Sequence, residues 1–363
     1  MHITLKAALS ISALALLAQV HGQLVWSNNE NHKSGGHVPP PAPRPVVFYH
    51  GMGDSAHSKG MEELFESVRT LAPTIYIHSV QLAESESDDK KAGFFGNVND
   101  QVDIVCKQLK ENPHLEGGFN AVGFSQGGQF LRAYVQRCND PPIHNLITFG
   151  SQHAGVSDIP GCVNSDPSCS LMRTIVKAGV YSSYVQNRVV QAQYYKDPHN
   201  IPRYLESSIF LPYLNNELGA KNASYAENLK KLNALVMFLF EEDITVKPKE
   251  TSWFGFEDEN GNIVDLEDQD IYIEDWLGLK EMDEKNKLIY ETLKGEHMQF
   301  SLEEFAEKVT IPFLLELEEP GLSTKARSQL NRLRIKQLRQ QQQQQHDYQR
   351  HSRESRFKLQ ILD

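Results

Sequence analysis

The stretch at residues 123–127, which reads Gly-Phe-Ser-Gln-Gly, decides how the rest of the chain is interpreted. It follows a strand-like stretch at residues 120–122 and precedes residues 126–137, where apolar residues recur with helical spacing. A Gly-x-Ser-x-Gly sequence between a strand and a helix is typical of a nucleophile elbow, where two glycines allow a sharp turn that exposes the serine hydroxyl. Ser125 is therefore the predicted nucleophile.

The flanking sequence predicts an α/β fold with a mostly parallel central sheet. Five short apolar runs have the character of strands buried on both faces, namely residues 46–49, 120–124, 146–149, 235–240 and 287–293. Amphipathic segments, such as residues 98–109, lie between these runs. Alternating strands and helices imply helices on both faces of the sheet. Together with the elbow, this pattern predicts an α/β-hydrolase fold.

Residues 162–234 break the alternation and predict a mainly helical insertion. Its apolar residues Ile209, Phe210 and Leu211 have two interpretations: they line a substrate-binding groove over the site, or they pack a small core of the insertion itself. We take these three as candidate substrate-binding residues.

A serine hydroxyl needs a base, and the base needs a carboxylate that holds it in one tautomer. In α/β-hydrolases the order along the chain is Ser, acid, His. The apolar run 235–240 is followed at once by two glutamates and Asp243, which is the leading candidate for the acid, with Glu242 as its competitor. His297 is the only histidine between residue 201 and the glutamine tract at residues 340–345. The sequence therefore predicts a Ser125, His297 and Asp243 triad.

An oxyanion hole completes this chemistry. One donor is predicted to be the backbone N–H of Gln126, and the other that of Met52, which lies between two glycines in the loop after the first strand. A phosphate cradle is the rival interpretation of this loop, but no Gly-Lys-Ser/Thr sequence accompanies it. His153 is expected near the rim of the site, in a structural role.

The chain ends suggest a secretory route. Residues 1–22 carry one lysine and an apolar run that is shorter than the ~20 residues of a membrane span, which predicts a cleaved signal peptide rather than an anchor. A Pro- and Gly-rich linker is expected at 23–44 and the hydrolase domain at 45–318. Residues 319–363 form a basic, Gln-rich tail that is expected to be disordered.

Composition excludes two classes of protein. A hydrophobic content of 40% excludes disorder of the whole chain, because it is enough to build a sizeable core. A net charge of −11 argues against a nucleic-acid partner. No metal or cofactor motif is found in the sequence, and none is expected.

Four cysteines are candidates for disulfides in an oxidising compartment. The sequence alone leaves three pairings open. The short spacing of Cys162 and Cys169 favours a local pair, which leaves Cys106 with Cys138. A zinc site is disfavoured because no C-x₂-C spacing occurs. One sequon predicts glycosylation at Asn222.

Four motifs together resemble the palmitoyl-protein thioesterase family. They are His-Gly-Met-Gly-Asp-Ser at 50–55, Gly-Phe-Ser-Gln-Gly-Gly-Gln-Phe-Leu-Arg at 123–132, Trp-Phe-Gly-Phe at 253–256 and Leu-Gly-Leu-Lys-Glu-Met-Asp at 277–283. The resemblance covers about residues 45–315. It implies a hydrolase of the lysosome or vacuole lumen that removes thioester-linked long-chain acyl groups from cysteines of S-acylated proteins, touching membranes only through its lipid substrate.

The resemblance implies the same catalytic set, with Ser125, Asp243 and His297 as the triad and the amides of Met52 and Gln126 as oxyanion donors. The family's four corresponding cysteines agree with the pairing given above. This chain departs from the family pattern at 56–57, where Ala-His replaces adjacent cysteines, and in its Gln-rich tail. Two alternatives are a cytosolic-type acyl-protein thioesterase or carboxylesterase, and a catalytically silent lipid-binding scaffold.

Overall fold

The computed structural model describes residues 43–158 and 179–315. The predicted signal peptide, nearly all of the linker and the basic tail lie outside the described residues. So do the first residues of the insertion, including Cys162 and Cys169.

In the described part of the chain, six parallel strands form the central sheet, in the order β2-β1-β3-β4-β5-β8, and a separate antiparallel hairpin pairs β6 with β7. The strands are β1 Val46–Tyr49, β2 Ile77–Ser79, β3 Phe119–Phe124, β4 Ile143–Phe149, β5 Ala234–Phe240, β6 Phe256–Glu257, β7 Ile263–Val264 and β8 Leu288–Leu293. All five strands expected from the apolar runs are confirmed. Strand β2 and the hairpin are additions that the apolar runs did not indicate.

The apolar runs are continuous because the sheet is buried on both sides. In β1, Val46 and Phe48 pack into one core, and Val47 and Tyr49 pack into the other. Successive side chains of a strand point to opposite faces, so a strand covered on both faces must be apolar at every position. This explains why these segments lack the alternating pattern of a half-exposed strand.

Helices cover both faces, as predicted. The helices before the insertion are α1 Lys59–Leu71, α2 Glu86–Ala92, α3 Val98–Lys110 and α4 Gln126–Arg137. The described part of the insertion contains α5 Ser183–Gln186, α6 Ile201–Ser207, α7 Leu211–Leu214 and α8 Ala223–Leu229. After β5 follow α9 Asp270–Ile273, α10 Leu279–Glu284 and α11 Leu302–Phe305, which continues as a π-helix at Ala306–Leu314. Short 3₁₀ turns lie at Pro113–Leu115, Gln191–Gln193, Lys249–Trp253 and Leu266–Asp268.

Each face of the sheet has its own helices. Buried residues of α3 and α4 belong to the core on one face, and those of α1 and the C-terminal helix belong to the core on the other. The described part of the insertion, residues 179–233, is helical and contributes no strand to the sheet. The α/β-hydrolase fold class predicted from the sequence therefore holds.

A disulfide joins Cys106 in α3 to Cys138, the residue after α4, with their Cα atoms 6.1 Å apart. It ties the helix that follows the elbow to its neighbour on the surface, and it confirms the predicted pair. Within residues 43–158 and 179–315, no helix is long and apolar enough to cross a membrane.

Candidate active site

Ser125 lies at a sharp turn between β3 and α4. Its backbone has φ 51° and ψ −118°, a conformation that L-residues rarely adopt and that marks functional sites. Two backbone hydrogen bonds keep Ser125 in this conformation. Its N–H donates to the Phe149 carbonyl at 2.7 Å, and its carbonyl accepts from the Gly128 N–H at 3.1 Å. The turn has the geometry of a nucleophile elbow.

The glycines of the elbow are required by close backbone contacts. A Cβ atom on Gly127 would lie 2.4 Å from the Tyr49 carbonyl oxygen, and one on Gly123 would lie 2.3 Å from the Cα atom of Gly128. Both distances are far shorter than any real carbon contact. The elbow can therefore pack against the end of β1 only if these positions have no side chain.

The structure brings Ser125, His297 and Asp243 together. Nε2 of His297 is 3.0 Å from Oγ of Ser125, and Nδ1 of His297 is 2.6 Å from Oδ2 of Asp243. An ionised carboxylate can only accept a hydrogen bond, so the imidazole carries its proton on Nδ1. Nε2 is then left with a lone pair that faces the serine hydroxyl, as a general base requires.

Two backbone amides hold the Asp243 carboxylate in place. Its Oδ1 accepts from the N–H groups of Thr245 at 2.8 Å and Val246 at 2.9 Å, which leaves Oδ2 for His297. Glu242, the competing acid, is exposed, and its N–H bonds the Gly295 carbonyl instead. The contact with His297 is therefore made by Asp243.

The topology explains why residues so far apart in sequence meet. Strands β5 and β8 are parallel neighbours, so their carboxyl ends lie at the same edge of the sheet. The segments that leave them are bonded to each other: the Glu241 N–H donates to the Leu293 carbonyl at 2.9 Å, and the Glu242 N–H to the Gly295 carbonyl at 3.0 Å. The acid and the histidine are thus held by one pair of strand ends.

Gly150 is a site residue that the sequence analysis missed. It follows β4 with φ 55°, and a Cβ atom at this position would lie 2.9 Å from Cε1 and 3.1 Å from Nδ1 of His297. Any side chain here would push the imidazole away from Ser125. The available signal was a glycine directly after a buried strand that neighbours the elbow.

Of the two residues expected to form the oxyanion hole, Gln126 directly follows Ser125 and Met52 belongs to the loop after β1. Gln126 is the first residue of α4, where backbone N–H groups have no partner within the helix. Its buried side chain donates to the Gly93 carbonyl at 3.1 Å and accepts from the Tyr194 hydroxyl at 3.1 Å. The Met52 loop lies against the elbow, since a Cβ atom on Gly51 would be 3.4 Å from the Ser125 Cβ.

His153 is internal rather than at the rim. Its Nε2 lies 3.1 Å from the Thr148 hydroxyl, and its ring stacks on Phe254 at 4.8 Å between centroids. Burial, and then the charge of Arg132, lower the pKa of His153 well below its ordinary value, so the ring is neutral. Burial also lowers the pKa of Arg132 to about 9. These contacts describe a structural histidine.

The assignment of Phe210 and Leu211 to a substrate groove is corrected by their burial. Both side chains are 0% exposed. The Phe210 ring packs edge-on against that of Phe130 at 5.9 Å, and the Arg137 guanidinium lies 5.3 Å above it. Phe210 thus attaches the insertion to α4, and neither Phe210 nor Leu211 has surface open to a ligand. Ile209 is partly exposed, with its carbonyl accepting from a side-chain amide of α3.

The remaining sequence predictions concern glycosylation and metals. Asn222 is exposed at the N-terminus of α8, where its side chain accepts hydrogen bonds from Ser224. Its glycosylation stays a prediction. Among the residues that the structure describes, no group of three or more His, Cys, Asp or Glu side chains could hold a metal ion.

Comparison with known proteins relates this chain to one enzyme family. A family model described as palmitoyl protein thioesterase matches residues 45–297. Palmitoyl-protein thioesterase 1 of Caenorhabditis elegans is 41% identical over 70% of this chain and 86% of its own length. Palmitoyl-protein thioesterase 3 of Dictyostelium discoideum is 37% identical over 75% of this chain and 93% of its own.

A more distant relative is the lysosomal thioesterase PPT2 homolog of Drosophila melanogaster, which is 29% identical over 68% of this chain and 82% of its own length. The matched region spans the elbow, the strand ends that carry Asp243 and His297, and the Met52 loop. By its sequence, the chain belongs to the palmitoyl-protein thioesterase family.

Proposed function

We propose that this protein is a serine hydrolase that cleaves long-chain fatty acyl groups, palmitoyl among them, from cysteines of S-acylated proteins. The observation that carries the proposal is the hydrogen-bonded chain from Ser125 through His297 to Asp243 at a strained elbow. Membership of the palmitoyl-protein thioesterase family supports the thioester substrate.

Acylation begins when Ser125 Oγ attacks the thioester carbonyl while His297 Nε2 takes its proton. The carbonyl oxygen becomes an oxyanion, which accepts hydrogen bonds from the backbone N–H groups of Gln126 and Met52. Asp243 stabilises the imidazolium that has formed. The carbon–sulfur bond then breaks, His297 returns the proton to the leaving thiolate, and an acyl-enzyme remains on Ser125.

Deacylation repeats these steps with water. His297 takes a proton from water as it attacks the acyl-enzyme, the same two amides stabilise the second oxyanion, and the Ser125 oxygen leaves with the proton from His297. The products are a fatty acid and the unmodified enzyme. No cofactor takes part in this sequence of steps.

The leaving group explains a preference for thioesters over amides. A cysteine thiol has a pKa of about 8.5, so a thiolate leaves with little help from an acid. An amine leaves far less readily and needs full protonation. We therefore expect slow hydrolysis of the matching amide.

We place this activity in the secretory pathway, in the lumen of a lysosome or vacuole, during the breakdown of lipid-modified proteins. The support is the signal-peptide pattern of residues 1–22 and a Drosophila relative named as a lysosomal thioesterase. Co-fractionation of the tagged protein with a lysosomal or vacuolar hydrolase would be the expected result, and a cytosolic fraction would contradict it.

The experiment that tests the function uses S-acyl cysteine peptides with chains of different length. Each buried methylene contributes about 0.8 kcal/mol, so four more buried carbons should raise kcat/KM by about a hundredfold. A fluorophosphonate probe should label the native protein and the Ser87→Ala control, whose altered serine is exposed on α2, but not Ser125→Ala. Equal activity on acetyl and palmitoyl thioesters below micelle formation would instead indicate a small-ester carboxylesterase.

A further inference from the structure

A buried histidine and a buried carboxylate lie in contact next to the loop that carries Met52. Nε2 of His50 is 3.2 Å from Oδ2 of Asp89, and the two side chains are only 3% and 1% exposed. Neither residue belongs to the hydrogen-bonded chain of Ser125, His297 and Asp243. A buried carboxylate is costly to desolvate, so the position of Asp89 next to this loop calls for a physical explanation.

The Asp89 carboxylate joins three segments of the chain. Asp89 lies on helix α2. Its Oδ2 accepts a hydrogen bond from the Ala56 N–H at 2.9 Å and faces His50, and its Oδ1 accepts from the Leu82 N–H at 2.8 Å. Burial raises the pKa of Asp89, but the contact with His50 and the two amides outweigh that effect and hold the pKa below its ordinary value. The carboxylate is therefore ionised in the fold.

The other nitrogen of His50 reaches the Met52 loop. Nδ1 of His50 lies 2.9 Å from the carbonyl oxygen of Gly51. Because a carbonyl oxygen can only accept, Nδ1 must carry a proton in this contact. The same oxygen accepts from the Asp54 N–H at 3.3 Å. The Gly51 carbonyl oxygen is thus held by contacts with His50 and Asp54.

The peptide plane transfers this restraint to the oxyanion donor. The Gly51 carbonyl and the Met52 N–H belong to one peptide group, which is planar and trans. In a trans peptide the C=O and N–H bonds point in opposite directions. An anchored Gly51 oxygen therefore fixes the direction in which the Met52 N–H points.

We propose that His50 and Asp89 are positioning residues that orient the Met52 amide of the oxyanion hole, with Asp89 acting through His50. The inference rests on the proposed function, because it assigns the Met52 amide the role of oxyanion donor. It extends that function by giving the oxyanion loop a charged support of its own, parallel to the one that Asp243 gives to His297.

The test compares His50→Gln, Asp89→Asn, the double variant and Asp88→Asn. Asp88 is the exposed neighbour of Asp89 on α2 and is a matched control for the loss of one carboxylate. Removing an oxyanion donor lowers kcat by about 10²–10³, so its misorientation should lower kcat about 10- to 100-fold with KM nearly unchanged. The double variant should be no worse than the worse single variant, because Asp89 acts through His50.

Three results would overturn the inference: an unchanged kcat in His50→Gln, fully multiplicative losses in the double variant, or an equal loss in Asp88→Asn. If Asp89→Asn does not fold, His50→Gln carries the test, since it leaves both amide bonds of Asp89 in place.

Covalent labelling of Ser125 by a fluorophosphonate gives a second readout, because the phosphonyl oxygen of the adduct also needs the oxyanion hole. If the native protein labels rapidly but does not cleave S-acyl cysteine, the proposed substrate is wrong. The labelling rates of the four variants still decide the role of His50 and Asp89.

Discussion

The carboxyl edge of the sheet carries the candidate catalytic side chains, whereas the described part of the helical insertion uses buried apolar side chains for packing. At the sheet edge, Ser125 and Asp243 follow the fully buried strands β3 and β5, and His297 follows the partly exposed border strand β8; the pairing of these strands fixes where each loop begins. In the insertion, Phe210 and Leu211 are fully buried, and Phe210 packs against α4. Position along the chain is therefore informative at the sheet edge, whereas hydrophobicity alone did not separate a binding surface from a core in the insertion.

Ser125→Ala should give the largest effect and test the sheet-edge half of this comparison. Loss of the nucleophile should lower kcat by about 10⁴- to 10⁶-fold, because triad residues act as a unit. Thermal unfolding should be unchanged or nearly so. His297→Ala should behave alike, and the double variant should be little worse than either. Turnover retained by Ser125→Ala, in protein free of contaminating esterase, would remove Ser125 from the mechanism.

Phe210→Ala should test whether Phe210 stabilises the fold by packing rather than binding the acyl chain. Truncating a buried phenylalanine should lower the free energy of unfolding by about 3–5 kcal/mol, measured by urea denaturation. The acyl-chain preference of the folded enzyme should stay the same. Tyr213→Ala, which removes a nearby ring that is 53% exposed, should change stability by less than about 0.5 kcal/mol. A flattened chain-length profile with native stability would return Phe210 to the substrate groove.

Gly150→Ala should show whether a side chain at this position lowers activity by straining the backbone or by displacing His297, the general base. The new methyl group would meet the His297 ring, and a displacement of about 1 Å in a catalytic group can lower kcat by about a hundredfold. Gly179→Ala in the insertion is the matched control, because Gly179 has φ 80° but no atom within 4 Å of the new Cβ position. Steady-state kinetics should show a large loss for the first variant and almost none for the second. Equal losses would mean that backbone strain alone is responsible.

Deletion of residues 321–363 should give the smallest effect. No predicted catalytic or binding residue lies in this segment, so thioester hydrolysis should stay within a few-fold of the full-length enzyme. Specific activity per active site, titrated with a fluorophosphonate, would measure it. A loss beyond tenfold would show that the site depends on more than the sheet edge and the insertion.

The sequence predicted the parts of the fold that depend on local pattern. Strands β1, β3, β4 and β5 were found because each carries a mainly apolar, buried run, and β8 was found from the apolar residues at its start although Glu291 and Thr292 follow them. Strand β2 was missed because Ile77–Ser79 lies at the sheet edge, is three residues long and contains a histidine. The hairpin strands β6 and β7, of two residues each, are too short to show any period.

The candidate site divides in the same way. Ser125, Asp243 and His297 could be predicted because the fold imposes their order along the chain. Gly150 and the pair of His50 with Asp89 could not, because their roles depend on distances between segments that share no local pattern. A histidine and a carboxylate separated by α1 and β2 give no signal in one sequence.

The position of β8 has a consequence for how activity is acquired during synthesis. Of the strands that the structure describes, β8 is the last to be made and forms one border of the sheet. The loop after it supplies His297, 172 residues beyond Ser125. A nascent chain that has folded around β1, β3, β4 and β5 holds its nucleophile without a base, and is inert toward acyl thioesters. Hydrolysis is therefore a reporter of the final docking event. Fraying of this border strand in the mature enzyme should silence it while most of the hydrophobic core remains intact.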